Sequence, residues 1–146
     1  MSLENLLRIG KLKAHAAERV EVVRLLGAAE RGLRDAASPA LSGDSRLDLA
    51  YRAIVQAALV AMLAHGFRPA TSEPGHHQVL IQALPKTIDL PPERLQMLEA
   101  YRAARNQSGY RGIPVSDAVA EACIEDGHRL LAEVRAWLQA HRADLA

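Results

Sequence analysis

Four residues on one stretch of the chain have the types and spacing to hold an anion. Arg102, Asn106 and Tyr110 recur every fourth position, which on a helix sets them on one face, and Arg105 lies on the adjoining flank. Two guanidiniums, an amide and a phenol offer many hydrogen-bond donors and two permanent positive charges. That is the chemistry that grips a phosphate or a carboxylate. These residues stand where an apolar stripe begun by Leu95 and Leu98 would otherwise continue. Two readings fit the pattern. In one, the side chains form a polar network that fixes helix register, with Asp48 and Glu121 as acidic partners. In the other, they line a cleft that binds an anion such as phosphate.

A second break in the pattern is Gly75-His76-His77, which follows a proline and precedes a short helical segment. Neighbouring helical side chains point about 100° apart, so the two histidines make a poor chelating pair. No Asp or Glu joins them at metal-ligand spacing, and neither a metal nor any other cofactor is expected. One of the two is expected to cap the short helix or to hydrogen-bond across the molecule. His65 is expected at a helix C-terminus, where the dipole favours a cation. Cys123 falls in mid-stripe and is expected to be a buried small hydrophobe. As the single cysteine, it excludes a disulfide framework and a cysteine-based zinc site.

The elements that must position these groups follow from composition. The 146 residues are 49% hydrophobic and 24% charged, a globular balance, and their number suits a single domain over 1–146. Aromatics are only 3%, too few for the stacking platforms of sheet-type RNA binders. Ala, Leu and Arg dominate, and Ala and Leu are strong helix formers. The net charge of +1 argues against a polybasic coat for nucleic acid or membrane. No apolar run is read as reaching the ~18–20 residues that span a bilayer, and no signal-peptide core is seen, so a cytoplasmic protein without membrane contact is expected.

Turn-rich stretches at 38–45, 66–76, 84–92 and 109–114 cut the chain into five helical segments. The first runs from Leu3 to about Ala37, bent near Gly10. The second runs from about Ser45 to His65, capped by Asp44 or Ser45, with Tyr51 on its core stripe. A short third covers His76 to Leu84. The fourth starts at Pro91-Pro92 and ends near Tyr110. The fifth, capped by Ser116, ends near His141 and carries the stripe Val119, Cys123, Leu130, Val134 and Trp137/Leu138, with Trp137 as a core anchor. Four long amphipathic helices plus one short helix predict an all-α, up-and-down bundle.

Taken in order, Arg46-Leu47-Asp48-Leu49-Ala50-Tyr51-Arg52-Ala53, then Gly66-Phe67-Arg68, then Gly75-His76-His77, then Arg102 through Tyr110 resemble the HEPN superfamily over about residues 20–140. The likeness is to small stand-alone bacterial members with a Gly-His-His loop. Members of that family are all-helical bundles of toxins and defence systems. Their signature is an Arg, a polar residue, several variable residues and a His. Arg105 and Asn106 match its first two positions, and Tyr110 stands in the His position. The resemblance implies a homodimer whose Arg-motif helices face a shared cleft. It also implies RNA or a nucleotide as ligand, and metal-independent RNA cleavage in which Arg holds the scissile phosphate. In that reading Arg105, Asn106 and Tyr110 form the catalytic set, and Arg102, Tyr51, His76 and His77 bind ligand. A toxin-like role with a nucleotidyltransferase-type antitoxin as partner goes with it. A free phenol has a pKa of about 10, against about 6.5 for imidazole, so Tyr110 keeps hydrogen-bond donation but is a weak base near neutrality. The alternative is a catalytically inactive HEPN dimer that binds a nucleotide, another anion or a protein. A purely structural helical domain, its arginines sealed by carboxylates, is the third expectation.

Overall fold

The computed structural model describes residues 2–71 and 75–146; residues 72–74, in the middle of the 66–76 connection, lie outside the described residues. Among those described, seven helices and one two-stranded sheet are formed. The chain is mostly helical, as its Ala and Leu content requires.

The first expected helix is not one helix. α1 (Leu3–Arg8) stops at Gly10, whose φ of +82° is open to glycine and strained for other residues. Lys11 N–H then donates back to the Leu6 carbonyl, closing the helix end. The chain next enters β1 (Leu12–Ala14), which pairs antiparallel with β2 (Phe67–Pro69), Lys13 opposite Arg68. α2 (Arg19–Ala36) begins only after this strand. It is closed at its start by a capping box, in which Glu21 bonds the Glu18 N–H and the Glu18 side chain accepts from the Glu21 backbone.

α3 (Gly43–Ala64) is the central helix, packed against α2 and α7 and touching α4 and α6. Its cap is Ser42, which accepts from Ser45 N–H at 3.2 Å, and not Asp44 or Ser45. Asp44 instead accepts from Val115 N–H at 2.7 Å, tying the start of α3 to the entry of α7. By length and composition α3 could cross a membrane, which the sequence reading did not allow for. It is apolar because it is a core helix: 67% of its most apolar stretch is buried inside the molecule.

α4 (His76–Gln82) and α5 (Leu84–Thr87) divide the short third segment, and α6 (Pro92–Arg111) follows with Pro91 as its cap. α7 (Asp117–His141) is capped by Ser116 as expected, through a bond from Val119 N–H at 3.2 Å. Its buried stripe is Ala120, Cys123, Ile124, Gly127, Leu130, Leu131, Val134 and Leu138; Val119 lies one step off it and is exposed. Gly127 lets α7 close on the rest of the core, since a Cβ there would sit 2.7 Å from Leu33 of α2. Trp137 is half-buried at the rim of the core and not a central anchor. Its ring stacks between those of His65 and His141, at 4.9 and 4.7 Å. His65 caps α3 at its C-terminus, and its Nε2 bonds the Thr87 carbonyl at 2.8 Å.

Two buried arginines lock the helices together. Arg46 of α3 donates from Nε to the Ala36 carbonyl at the end of α2, at 2.7 Å, and from Nη2 to Glu121 of α7. Arg94 of α6 makes a two-pronged bond to Glu133 of α7, at 2.7 and 2.9 Å. Both are paired as a buried guanidinium must be, although Nε of Arg94 is buried without a partner among the described residues.

Candidate anion-binding site

α6 changes character half-way along. Its buried residues are Arg94, Leu98 and Tyr101, and from Arg102 to Arg111 it buries none. Tyr101 closes the buried half by donating to Asp126 of α7. The exposed half carries Arg102, Arg105, Asn106 and Tyr110, so the polar face read from the spacing is a face turned away from the core.

Arg105 sits where two hollows meet. Beyond it toward the helix end, Asp48, Arg105, Asn106, Gly109 and Tyr110 line a hollow of about 240 Å³. On its other side lies a cleft of about 270 Å³ between α3, α4 and α6. That cleft has an apolar wall of Tyr51, Val55 and Leu59, while Arg52, Gln56, His77 and Arg105 supply its polar rim. A third hollow, shared by Arg102, Asn106 and Tyr110, opens on the far flank of α6. The predicted residues Arg105, Asn106 and Tyr110 therefore come together, Tyr51 and His77 join Arg105 from other elements, and Arg102 lies to one side. His76 is not among the lining residues; its ring stands edge-on to that of His77 at 4.3 Å.

The acidic partners differ from those expected. Asp48 does pair with Arg105, at 3.2 Å from Nε, but Glu121 is taken by Arg46, and Arg102 bonds Glu99 one turn back on its own helix at 2.8 Å. The Arg105 side chain is 45% exposed and that of Asp48 58%. Exposed pairs of this kind are worth about 0–1 kcal/mol, so a ligand phosphate can replace Asp48 at little cost. The guanidinium carbon of Arg105 stands 5.6 Å from the centre of the Tyr51 ring, within cation–π range. Its two terminal nitrogens have no protein partner among the described residues.

Two groups in the cleft are electrostatically unusual. Burial, with smaller effects from His76 and Arg105, lowers the affinity of His77 for a proton below that of a free imidazole. Its ring is therefore neutral near pH 7. Tyr51 is 3% exposed, and burial, helped by the negative charge of Glu99, pushes its phenol up to about 12. The Tyr51 hydroxyl is buried without a hydrogen-bond partner among the described residues, as is Oε1 of Glu99. A buried polar group left in this state costs about 1–3 kcal/mol.

Sequence reasoning missed Arg52 and Gln56, which flank the core stripe of α3 one position beyond Tyr51 and Val55. Their i, i+4 spacing beside Tyr51 was the available signal. Cys123 is buried, and burial pushes its thiol up to about 12, so it is inert. Among the described residues, no group of three or more His, Cys, Asp or Glu is placed to hold a metal.

Asp48 competes with any anion for Arg105. Asp48→Asn is expected to strengthen any binding of inorganic phosphate at Arg105 several-fold, measured by calorimetry, because it removes the competing charge and keeps the shape. Weaker binding would mean that Asp48 is needed to hold Arg105 in place. Compared with known proteins, the sequence matches no family model, and no curated protein matches it.

Proposed function

We propose that this chain is a single HEPN-like domain, with α2, α3, α6 and α7 as the four long helices of an up-and-down bundle, and that it acts as a homodimer binding RNA or another phosphate-bearing ligand. The observation that carries this reading is Arg105: a guanidinium at the junction of two hollows, 45% exposed, paired through Nε with the exposed Asp48, its terminal nitrogens without a hydrogen bond among the described residues. A structural network would have sealed it. Asn106 orients the phosphate and Tyr110 donates a hydrogen bond to it, while Arg102 adds positive potential. The dimer draws support from the end of α6 and the residues just after it, where Tyr110 is 88% exposed and Ile113 is 44% exposed. Such apolar surface at the end of a helix suits an isologous contact, which doubles the site. A toxin-like role in the cytoplasm, held in check by a nucleotidyltransferase-type antitoxin, goes with this reading.

Cleavage is the stronger form of the proposal, and His77 favours it. A neutral imidazole in the cleft of Arg105 is suited to take the proton of a ribose 2′-hydroxyl as its oxygen attacks the adjacent phosphorus. The bond to the 5′-oxygen then breaks, leaving a cyclic phosphate and a 5′-hydroxyl that takes a proton from water. The weaker form is a binding module without catalysis, favoured by a phenol at 110 in place of imidazole. The test is cleavage of a short RNA by purified protein in excess chelator. Activity lost in both Arg105→Ala and His77→Ala supports the nuclease. Binding with no cleavage above the Arg105→Ala background supports the module, and cleavage gained in Tyr110→His strengthens that conclusion.

A further inference from the structure

The solvent-facing stripe of α3 changes character along its length. It begins polar, with Ser45, Asp48 and Arg52, and continues with Val55 and Leu59. Those two pack partly against the core and keep apolar surface open. Two hollows lie along this stripe and share Leu59. The first is the cleft of about 270 Å³ with Arg52 and Arg105 at its polar rim. The second, of about 220 Å³, continues toward the end of α3 over Leu25 of α2, Leu63 and Pro69. Its charged residues are Arg68 and the pair His15 and Glu21, which bond each other at 2.8 Å. Arg52 is exposed and makes no hydrogen bond or ion pair among the described residues. From Tyr51 to Leu63 the stripe covers about 18 Å of helix. An elongated trough thus runs beside α3, apolar over most of its floor, with two guanidiniums against one carboxylate, Asp48, at its near end.

We infer that this trough binds a long-chain carboxylate, a molecule with an apolar tail and one anionic head. The head sits at Arg52 and Arg105, since a guanidinium holds both oxygens of a carboxylate in a fork. The tail lies over Val55 and Leu59 and ends against Leu25, Leu63 and Pro69, taking apolar surface of both partners out of water. Together the two hollows fall within the about 300–1,000 Å³ of small-molecule sites. A partner helix is about 10 Å across and would fill more than about 1,000 Å³ over the same length, so the trough is too small for one. A bare phosphate or sugar phosphate leaves the apolar floor unused. The head position rests on the reading of Arg105 as an anion-binding group, while the tail position stands on the apolar floor alone.

The experiment titrates butyrate, octanoate, decanoate and decylammonium, below their micelle concentrations, into the full chain and follows both heat and methyl NMR signals. Decanoate is expected to bind at least tenfold more tightly than butyrate and than decylammonium, with a gain of about two- to fourfold per added methylene. Methyl shifts are expected at Val55, Leu59 and Leu63. Arg52→Ala and Arg105→Ala, at exposed positions, are expected to lose the preference for decanoate over decylammonium and to melt as the wild type does. Equal binding of butyrate and decanoate, lost in Arg105→Ala, overturns the trough and leaves the anion site standing, as does RNA bound without any binding of decanoate. Decanoate bound with no shift at Val55 and Leu59 overturns it too. So does a carboxylate preference lost in Arg68→Ala and kept in the other two variants. Shifts of the same methyls on dilution of the free protein place a second copy of the chain in the trough, and the ligand reading falls. Decanoate bound equally by wild type and Arg105→Ala, with no binding of inorganic phosphate, sinks the reading of Arg105 and the head position with it.

Discussion

Replacing Arg105 with alanine is expected to weaken RNA binding about 10- to 100-fold. Hydrogen bonds to charged groups are worth about 1.5–3 kcal/mol, and each 1.4 kcal/mol is about a factor of ten. Among the described residues the two terminal nitrogens of Arg105 make no hydrogen bond, so its loss removes both a charge and a planar pair of donors. The loss also leaves the Asp48 carboxylate facing the hollow alone, which adds repulsion. Salt dependence identifies the contact as a phosphate contact: the slope of log K against log salt is expected to fall by about 0.7 for single-stranded RNA when one neutralised phosphate is lost. Arg105→Lys keeps the charge but not the fork, and is expected to restore the slope and only part of the affinity. Because Arg105 lies on the exposed half of α6, thermal melting should be unchanged in both variants. An Arg105→Ala variant that binds RNA as the wild type does would remove the basis of the functional reading.

Replacing Gly43 with alanine is expected to be the most damaging single-methyl change in the molecule. A Cβ on Gly43 would lie 2.2 Å from the Val115 carbonyl oxygen and 3.3 Å from that of Ser116. Neither is a flexible side chain that can swing away. Val115 is held by the bond from its N–H to Asp44, and Ser116 caps α7. The start of α3 must therefore move off the start of α7, at the upper end of the about 1–3 kcal/mol that overpacking costs, or beyond it. Gly109 provides the contrast. It lies within α6 with nothing within 4 Å of its Cβ position, so Gly109→Ala is expected to stabilise by up to about 1 kcal/mol through helix propensity. Urea unfolding of the two variants measures the opposite signs directly, and a Gly43→Ala midpoint equal to that of the wild type would show that the close approach is not tightly held.

The helices were legible because their causes are local. Ser116, the Pro91-Pro92 pair and the spacing of Val22, Leu26, Ala29 and Leu33 act within a few residues of themselves, and they mark α7 and α6 close to where these lie and the buried face and end of α2, though not its start. β1 was not legible for the opposite reason. Leu12, Lys13 and Ala14 favour a helix by themselves, and only pairing with Phe67–Pro69, distant in sequence, makes them a strand. The site was half legible. Four-residue spacing brought Arg102, Asn106 and Tyr110 onto one face, and Tyr51 stood out as an aromatic on an alanine-rich stripe. Choosing His77 over His76 depends on how α4 is rolled. His77 lines the cleft although it is the more exposed of the two, and buried Leu80 lies within one turn of both, so the sequence pattern does not separate them. Arg52 and Gln56 looked like ordinary solvent-facing residues, because nothing local reveals that α4 and α6 close over them.

The exposed half of α6 also bears on how such a protein can change over generations. None of residues 102–111 is fully buried and, of their apolar side chains, Ala104 packs against the core, so the identity of most of the others is nearly free with respect to folding. Selection can exchange Tyr110 for histidine, or discard Arg105, while the scaffold beneath keeps its stability margin. The Tyr51 side of the cleft has no such freedom, since its phenol is packed into the central helix face. Descendants of this chain would therefore be expected to diverge first on the outer face of α6, and last in the Tyr51 wall of the cleft beside it.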